Sequence, residues 1–141
     1  MKTLSVVLGL SAVLAGCGHQ PQSLPTLASL QALPGTQWVP ADPALALLPL
    51  GQRPELQFVS PTQVIGHSGC NRFAGALHLG GGGLQMGPLA GTRRACTDEL
   101  MVVESRVLRA LDATRGGRLE PGQLVLLDAR GAELMRWVQR H

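Results

Sequence analysis

Cysteine and histidine are the residues of this sequence with the strongest potential for chemistry. The cysteines are Cys17, Cys70 and Cys96, and the histidines are His19, His67, His78 and His141. His67 lies three residues before Cys70, so the two could belong to a metal site or to a site of thiol chemistry. A zinc site needs a second ligand pair at a suitable spacing, and a thiol nucleophile needs an orienting acid. Neither pattern is visible in the sequence, so we predict no catalytic residues, no metal ligands and no cofactor.

The first seventeen residues have the layout of an export signal. Lys2 provides a positive charge, and an uncharged, mostly apolar run follows from Leu4 to Leu14. Small residues then precede Cys17, as expected before a cleavage site. The apolar run is shorter than the roughly 20 residues that a transmembrane helix requires, so we predict export rather than a membrane span.

The segment Leu14-Ala15-Gly16-Cys17 resembles the lipobox of bacterial lipoproteins. The resemblance implies that residues 1–16 are a signal peptide and that the thiol of Cys17 receives a diacylglyceryl group. Cleavage before Cys17 would expose its amino group, and acylation of that group, for example with palmitate, would add the further chain that stable anchoring requires. In enterobacterial lipoproteins, an aspartate after the lipidated cysteine retains the protein at the inner membrane. Gly18 stands at this position, so by resemblance the outer membrane is favoured, with the domain facing the periplasm. The alternative is a plain secretory signal with a chance cysteine.

The exported part of the chain, residues 17–141, has the length of one domain with a small core. Its eleven basic residues are all arginine, and against nine acidic residues they give a net charge of about +2. The charges are scattered, and the aromatic residues are Trp38, Phe58, Phe73 and Trp137. This composition disfavours nucleic-acid binding through a basic, aromatic-lined surface.

If Cys17 carries lipid, Cys70 and Cys96 remain as a pair. An even number of cysteines in an exported domain indicates a disulfide. Closing a loop of this length would stabilise the domain by about 3.5 kcal/mol on chain-entropy grounds. The alternative is two free, buried thiols.

Proline and turn residues divide the exported chain into a tether and a β-rich domain. Residues 17–35 hold the lipidated cysteine and a proline-rich stretch without an apolar face, which is typical of a flexible tether. The prolines at 40, 43 and 49 argue against a helix or a central strand in the next stretch. Apolar or alternating segments predict strands at 55–60, 63–66, 72–79, 84–89, 123–129 and 132–139.

One helix is predicted from apolar residues at helical spacing, which are Leu100, Val103, Val107, Leu108 and Leu111. Thr97 or Asp98 would cap this helix, and Gly116-Gly117 would end it. Several short strands with one helix indicate a mainly β fold of the α+β class. We predict a small curved antiparallel sheet or barrel with one packed helix.

Three segments of the domain follow one another in an order that resembles a known family. They are Gly69-Cys70-Asn71-Arg72-Phe73-Ala74-Gly75, then Leu89 to Cys96, then the strand Gln123 to Asp128. Together with Trp38 they are similar to the META domain family, whose bacterial members include HslJ-type heat-shock lipoproteins. The residues that match the family motif are Gly69, Cys70, Asn71, Arg72, Phe73, Gly75, Thr92 and Cys96. The resemblance assigns residues 36–141 to this domain and implies a β-rich fold, an envelope location and a link to stress responses, without a reaction.

The motif residues also have adequate structural roles. Asn71 can bond its own nearby backbone or adopt a left-handed conformation. Arg72 could pair with an acid on the helix, such as Asp98, or be exposed to solvent, and these two roles are favoured over binding an anionic partner. Phe73 is predicted in the core, and Thr92 can bond backbone at a strand end. We therefore predict a bridged corner where a strand pair meets the start of the helix.

These observations predict a non-catalytic binding or structural module that is not an enzyme. It would be held on a membrane by its lipid anchor and would contact an envelope protein or a small apolar ligand through a groove. One alternative is an inhibitor of an envelope hydrolase that uses an exposed loop at 40–54 or 80–83. Another is a thiol-redox or metal-handling protein that uses Cys70, Cys96 and His67.

Overall fold

The computed structural model describes residues 30–81 and 83–141, in which eight strands form one sheet. Cys17, the signal peptide and most of the predicted tether lie outside the described residues. The strands are β1 (Gln37–Pro40), β2 (Glu55–Ser60), β3 (Gln63–His67), β4 (Arg72–Gly80), β5 (Gly83–Gly91), β6 (Gly116–Glu120), β7 (Gln123–Leu127) and β8 (Glu133–Arg140). A short helix α1 (Pro43–Ala46) follows β1, and a long helix α2 (Asp98–Ala113) lies between β5 and β6. Among the described residues, no helix has the length and apolar character needed to cross a membrane.

The sheet is a meander that is opened at one point. Its strand order is β5-β4-β3-β2-β1-β8-β7-β6, with antiparallel neighbours throughout. Among strands that are consecutive in the described part of the chain, only β5 and β6 do not pair with each other, and α2 lies between them in the sequence. The sheet curls so far that these two end strands approach, and the amide of Leu84 donates a hydrogen bond to the carbonyl of Arg115 at 3.2 Å. The predicted mainly β fold with one packed helix is confirmed as a curled half-barrel.

The two faces of the sheet differ because successive side chains of a strand point to opposite sides. In β2, Leu56 and Phe58 are fully buried, whereas Glu55 is exposed. The inner face packs against the apolar stripe of α2, in which Val107 and Leu111 are fully buried. We call the opposite side of β1–β8 the outer face, and its side chains are available for functions other than packing.

The long helix begins where the sequence predicts and ends earlier than predicted. The hydroxyl of Thr97 accepts a hydrogen bond from the amide of Leu100 at 3.4 Å, so Thr97 is the N-cap. The helix ends at Ala113, and the two glycines expected to stop it belong to β6 instead. A Cβ atom at Gly117 would lie 3.1 Å from the side chain of Leu84, so glycine permits close packing between the two end strands.

The proline-rich stretch contains both a central strand and a helix, so the prediction that it would form neither of them is wrong. β1 ends at Pro40 and pairs with β2 on one side and β8 on the other. The ring of Pro43 occupies the first turn of α1, where a missing backbone donor costs nothing. Asp42 caps this helix by accepting a hydrogen bond from the amide of Ala44 at 3.0 Å. Proline thus marks the ends of these elements rather than preventing them.

Two residues that the sequence analysis placed in the tether belong to the core. Leu30 and Leu33 are 2% and 0% exposed and pack in the main hydrophobic cluster. The carbonyl of Leu33 also accepts a hydrogen bond from the amide of Thr36 at 3.1 Å. The packed domain therefore includes residues that precede position 36.

Candidate functional site

The family-motif segment forms a covalently bridged corner. Cys70, in the turn between β3 and β4, is joined by a disulfide to Cys96, just before α2, with Cα atoms 6.0 Å apart. The predicted disulfide is therefore present. Gly69 has a φ of +112°, and a Cβ atom there would lie 3.0 Å from the side chain of Val103 on α2. Glycine is required here because other residues rarely adopt this conformation.

Asn71 is the buried centre of this corner. Its side-chain amide donates to both carboxylate oxygens of Glu104, at 3.1 and 3.0 Å, and to the carbonyl of Arg94 at 3.2 Å. Its side-chain oxygen accepts from the hydroxyl of Thr92 at 2.9 Å and from the amide of Arg94 at 2.7 Å. Asn71 therefore connects β4, the segment after β5 and helix α2.

This role of Asn71 differs from the two roles predicted for it. Its side chain bonds distant segments rather than its own neighbouring backbone, and no described residue other than glycine has a positive φ. The partner Glu104 was missed by the sequence analysis. Glu104 lies four residues after Leu100 and three before Val107, so it falls on the apolar stripe of the helix. An acidic residue at such a position indicates a buried polar partner.

The remaining motif residues position the edges of the corner. Phe73 is 5% exposed and lies in the core as predicted, and a Cβ atom at Gly66 would collide with its ring. The hydroxyl of Thr92 accepts a hydrogen bond from the backbone amide of Arg72 at 3.2 Å, as predicted for a strand end. At Gly75 a Cβ atom would lie 2.6 Å from the side chain of Leu89 on β5. These residues allow β3, β4 and β5 to pack closely.

Arg72 is the motif residue whose side chain is not explained by the corner. It is exposed, and within the described ranges no acidic side chain forms an ion pair with it, so the predicted pairing with Asp98 is wrong. The backbone of Arg72 pairs with that of His67 across the β3–β4 ladder. Its guanidinium group belongs instead to a cleft on the outer face.

This arginine cleft has a volume of about 650 Å³. Its floor is formed by β1 to β4, and its sides include Gly51, before β2, and Thr92, after β5. The charged or titratable side chains that line it are Arg53, Arg72, Arg94, Arg140, Glu55 and His67. Of this set, only Arg72 and His67 were candidates from the sequence, because the other four residues come together through the fold.

Three of the cleft arginines are held by hydrogen bonds. Arg53 donates from Nε to the carbonyl of Leu48 at 2.6 Å, and Arg94 donates from Nη2 to the carbonyl of Cys70 at 3.1 Å. Arg140 and Glu55 form an ion pair with an N–O distance of 2.7 Å. The two backbone contacts fix the guanidinium groups without neutralising their charge.

His67 is half-buried at the floor of the cleft. Its Nδ1 accepts a hydrogen bond from the backbone amide of Gly69 at 3.2 Å, so the neutral ring keeps Nε2 as its donor. Partial burial, followed by the positive charges of Arg72 and Arg94, lowers the pKa of His67 from its usual value of 6.5. The neighbouring Cys70 is tied in the disulfide, and among the described residues no three metal-ligating side chains lie together.

A second arginine cluster, on β6 to β8, is organised differently. Arg136 forms ion pairs with Glu120 at 2.6 Å and with Glu133 at 2.9 Å, and Arg118 pairs with Glu120 at 2.9 Å. These arginines, Arg118 before Arg136, lower the pKa of Glu120, and the two carboxylates raise the pKa of Arg136. Two arginines and two glutamates make this paired cluster neutral.

Known proteins share this architecture. A family model described as the META domain matches residues 29–141. A solved NMR structure of a protein from Burkholderia xenovorans is similar, with a TM-score of 0.65 and 23% sequence identity, covering 97% of this chain and 99% of the other. A second NMR structure has a TM-score of 0.59 and 24% identity, covering 82% of this chain and 95% of the other. These similarities show the fold, and no curated protein matches the chain.

Proposed function

The chain belongs to the META domain family, and we propose that it is a lipid-anchored binding protein of the bacterial envelope. The anchor is supported by the charge, apolar run and small residues that precede Cys17. Two or more acyl chains on this cysteine hold the domain at the outer membrane, facing the periplasm. The half-barrel then presents its outer face to envelope components, and a role in stress responses would follow from what it binds.

The observation that carries the binding role is the arginine cleft. Its volume of about 650 Å³ lies within the range of roughly 300–1,000 Å³ that is typical of small-molecule sites. Its charged groups support binding rather than catalysis. Cys70 is tied in a disulfide, and in the part of the chain that the structure describes no carboxylate accepts a hydrogen bond from His67. A nucleophile with an oriented base is the usual requirement for covalent catalysis.

A photo-crosslinking experiment in the native envelope tests the binding role. A photoreactive amino acid at Gln57, on the floor of the cleft, is compared with one at Val59, which is exposed two residues further along the same strand. Because Val59 is exposed but does not line the cleft, the two positions differ mainly in their distance from the cleft. We expect a discrete adduct, detected by mass spectrometry, from position 57 and not from position 59. Equal labelling at both positions would contradict a binding role for the cleft.

The anchor is tested separately through Cys17. The unaltered chain should incorporate an alkyne-labelled palmitate and sediment with membranes. The variant Cys17→Ser should lose both properties while its domain remains folded. Membrane sedimentation that survives this substitution would contradict lipid anchoring.

A second candidate function, inhibition of an envelope hydrolase through the loop at 40–54, is favoured by a different observation. Leu47 and Leu50 are 85% and 84% exposed. Exposed leucines that are close together in a loop are typical anchors for a protein partner. If this role is correct, the variant Leu47→Ser with Leu50→Ser should no longer capture the hydrolase that the unaltered protein captures, while the crosslinks from position 57 remain. Capture that survives in this variant would contradict the role.

A further inference from the structure

We infer that the arginine cleft binds an organic phosphate, meaning a phosphate group attached to an organic body. The inference rests on the proposed binding function and names the chemical class of the ligand. It differs from the small apolar ligand expected from the sequence, because the cleft is lined by charged groups.

The cleft carries a concentrated positive charge. Its four arginines and one glutamate give four positive charges and one negative charge, a net charge of +3 with neutral His67. This equals the formal net charge of the entire 141-residue chain. Like charges in one cleft repel one another, so the arrangement favours a ligand that carries negative charge. A phosphate monoester, with a charge between about −1.5 and −2 at neutral pH, matches this charge better than a single carboxylate does.

The guanidinium groups of the cleft are held in place before an oxyanion binds. Arg53 and Arg94 are each held by a backbone carbonyl, at 2.6 and 3.1 Å. A guanidinium has five N–H donors, so each retains donors for a ligand. Groups that are already held lose less conformational entropy on binding, and the planar fork of arginine suits phosphate oxygens. Arg72, which has no acidic partner among the described residues, adds a third guanidinium.

The cleft also has room and apolar surface for a larger ligand. A cleft of about 650 Å³ is far larger than a phosphate ion. Ile65 on the floor is half-buried, whereas Trp38 and Leu56, which also line the cleft, have side chains buried in the core. Ile65 gives the cleft apolar surface beside its guanidinium groups. An organic body attached to the phosphate would cover that surface, which adds binding free energy through burial.

His67 provides a spectroscopic reporter of binding. It faces Arg72, Arg94 and Glu55 around the cleft, and Glu104 of α2 also acts on its charge. A bound phosphate would offset the positive charges that disfavour the imidazolium form. The pKa of His67 should therefore rise when the ligand binds.

The test is a calorimetric titration of the full chain with four matched probes. Phenyl phosphate carries the proposed group on an aromatic body, benzoate has the same body with one carboxylate, and inorganic phosphate lacks the body. Dihexanoyl phosphatidic acid, below its micelle concentration, presents the same phosphate group as a lipid. We expect saturable binding of phenyl phosphate that is at least about tenfold tighter than that of benzoate or inorganic phosphate. Tighter binding of phosphatidic acid than of phenyl phosphate would identify a lipid as the source, and the reverse would identify a soluble ester.

Two single substitutions localise the binding. Arg72→Ala should weaken phenyl phosphate binding by about tenfold, as expected for one lost charge-assisted contact. Arg93→Ala is the matched control, because Arg93 is also exposed and lies between the cleft residues Thr92 and Arg94 in the chain but does not itself line the cleft. It should change the affinity by less than about twofold, because its charge lies outside the cleft and is screened by solvent and salt. Circular dichroism of both variants verifies that they remain folded.

Three results would overturn the inference. They are no saturable binding of phenyl phosphate or phosphatidic acid, equal affinity for benzoate and phenyl phosphate, and equal weakening by the two arginine substitutions. If these probes fail while the adduct at position 57 persists, the binding function stands and the class of ligand is wrong. If both fail, the proposed binding function is contradicted as well.

Discussion

The outer face of the half-barrel carries two arginine clusters that have opposite electrostatic designs. In the paired cluster on β6 to β8, Arg118 and Arg136 are matched by two glutamates within 2.9 Å. The arginine cleft has four arginines and one glutamate, and that glutamate pairs with Arg140 alone among the described residues. Burial, followed by positive charge, also lowers the pKa of His67 there. Under the proposed function, arginine serves two purposes on one sheet: charges matched by glutamates stabilise the sheet, and unmatched charges are available to a ligand.

The supports behind the two clusters also differ. The paired cluster lies on the β6–β7–β8 meander. Two of its ion pairs lie within one strand, and the pair of Arg136 with Glu120 joins β8 to β6 across β7. The cleft is built against the corner formed by the Cys70–Cys96 disulfide and Asn71. The corner fixes the backbone of Arg94 and the start of β4, so damage to it should disturb the cleft and spare the paired cluster.

The largest effect should come from removing the disulfide. The variant Cys70→Ala with Cys96→Ala should lower the free energy of unfolding by about 3.5 kcal/mol, because the unfolded chain is released from a loop with a sequence separation of 26. Urea denaturation measures the change, and reduction of the unaltered protein provides a second route to the same state. A loss below about 1 kcal/mol by both routes would contradict a stabilising role for the bridge.

The next effect concerns Asn71. Asn71→Ala should cost about 2–4 kcal/mol, because Glu104 and the amide of Arg94 lose their partner inside the corner. Thr92→Val is the matched control and should cost about 1 kcal/mol, since it removes one side-chain hydroxyl from the same network. Amide shifts of β6 to β8 should stay unchanged in both variants. Equal costs for the two substitutions would show that Asn71 is not the centre of the corner.

A smaller contrast is expected between the arginines of the two clusters. Arg136→Ala should lower the melting temperature, because it removes two ion pairs and leaves Glu120 with Arg118 alone. Arg72→Ala should leave it unchanged or slightly raised at low salt, because it relieves repulsion between like charges. Added salt should reduce both effects. A larger destabilisation by Arg72→Ala than by Arg136→Ala would reverse the proposed roles.

The smallest effect is a shift in the titration of His67. Because its pKa is lowered in the folded state, its contribution to stability is present above pH 6.5 and is lost as the pH falls below that value. Arg72→Ala should raise the pKa of His67 part of the way, since partial burial remains, and so should reduce this loss at acidic pH. NMR of the ring protons measures the pKa directly. Arg136→Ala should have no effect on it, and an equal shift in both variants would contradict local coupling.

The sequence was sufficient for the parts of the fold that depend on local pattern. Alternation predicted β2, the apolar stripe predicted α2, and Thr97 was correctly assigned as its cap. The strands β1 and β6 were missed because Pro40 and the glycines at 116 and 117 are poor strand formers on their own. In the folded chain, β1 is stabilised by pairing with β2 and β8, and β6 by close contact with Leu84.

The cleft shows why a site can be harder to predict than the elements that form it. Arg72 and His67 are cross-strand neighbours that belong to adjacent strands, and both were recognised as chemically capable. Arg140 and Glu55 are 85 residues apart and meet only because β1 lies between β8 and β2. The strand order that brings them together depends on β1, which the local pattern did not predict.

The most direct test of this account is a map of backbone amide shifts during titration of the full chain with phenyl phosphate. The arginine cleft should respond, with saturable shifts at His67, Arg72 and Thr92 that follow one binding curve. The paired cluster, represented by Arg118 and Arg136, should remain unchanged throughout the titration. Equal shifts in both clusters, or shifts confined to the paired cluster, would contradict the claim that unmatched arginines form the binding site.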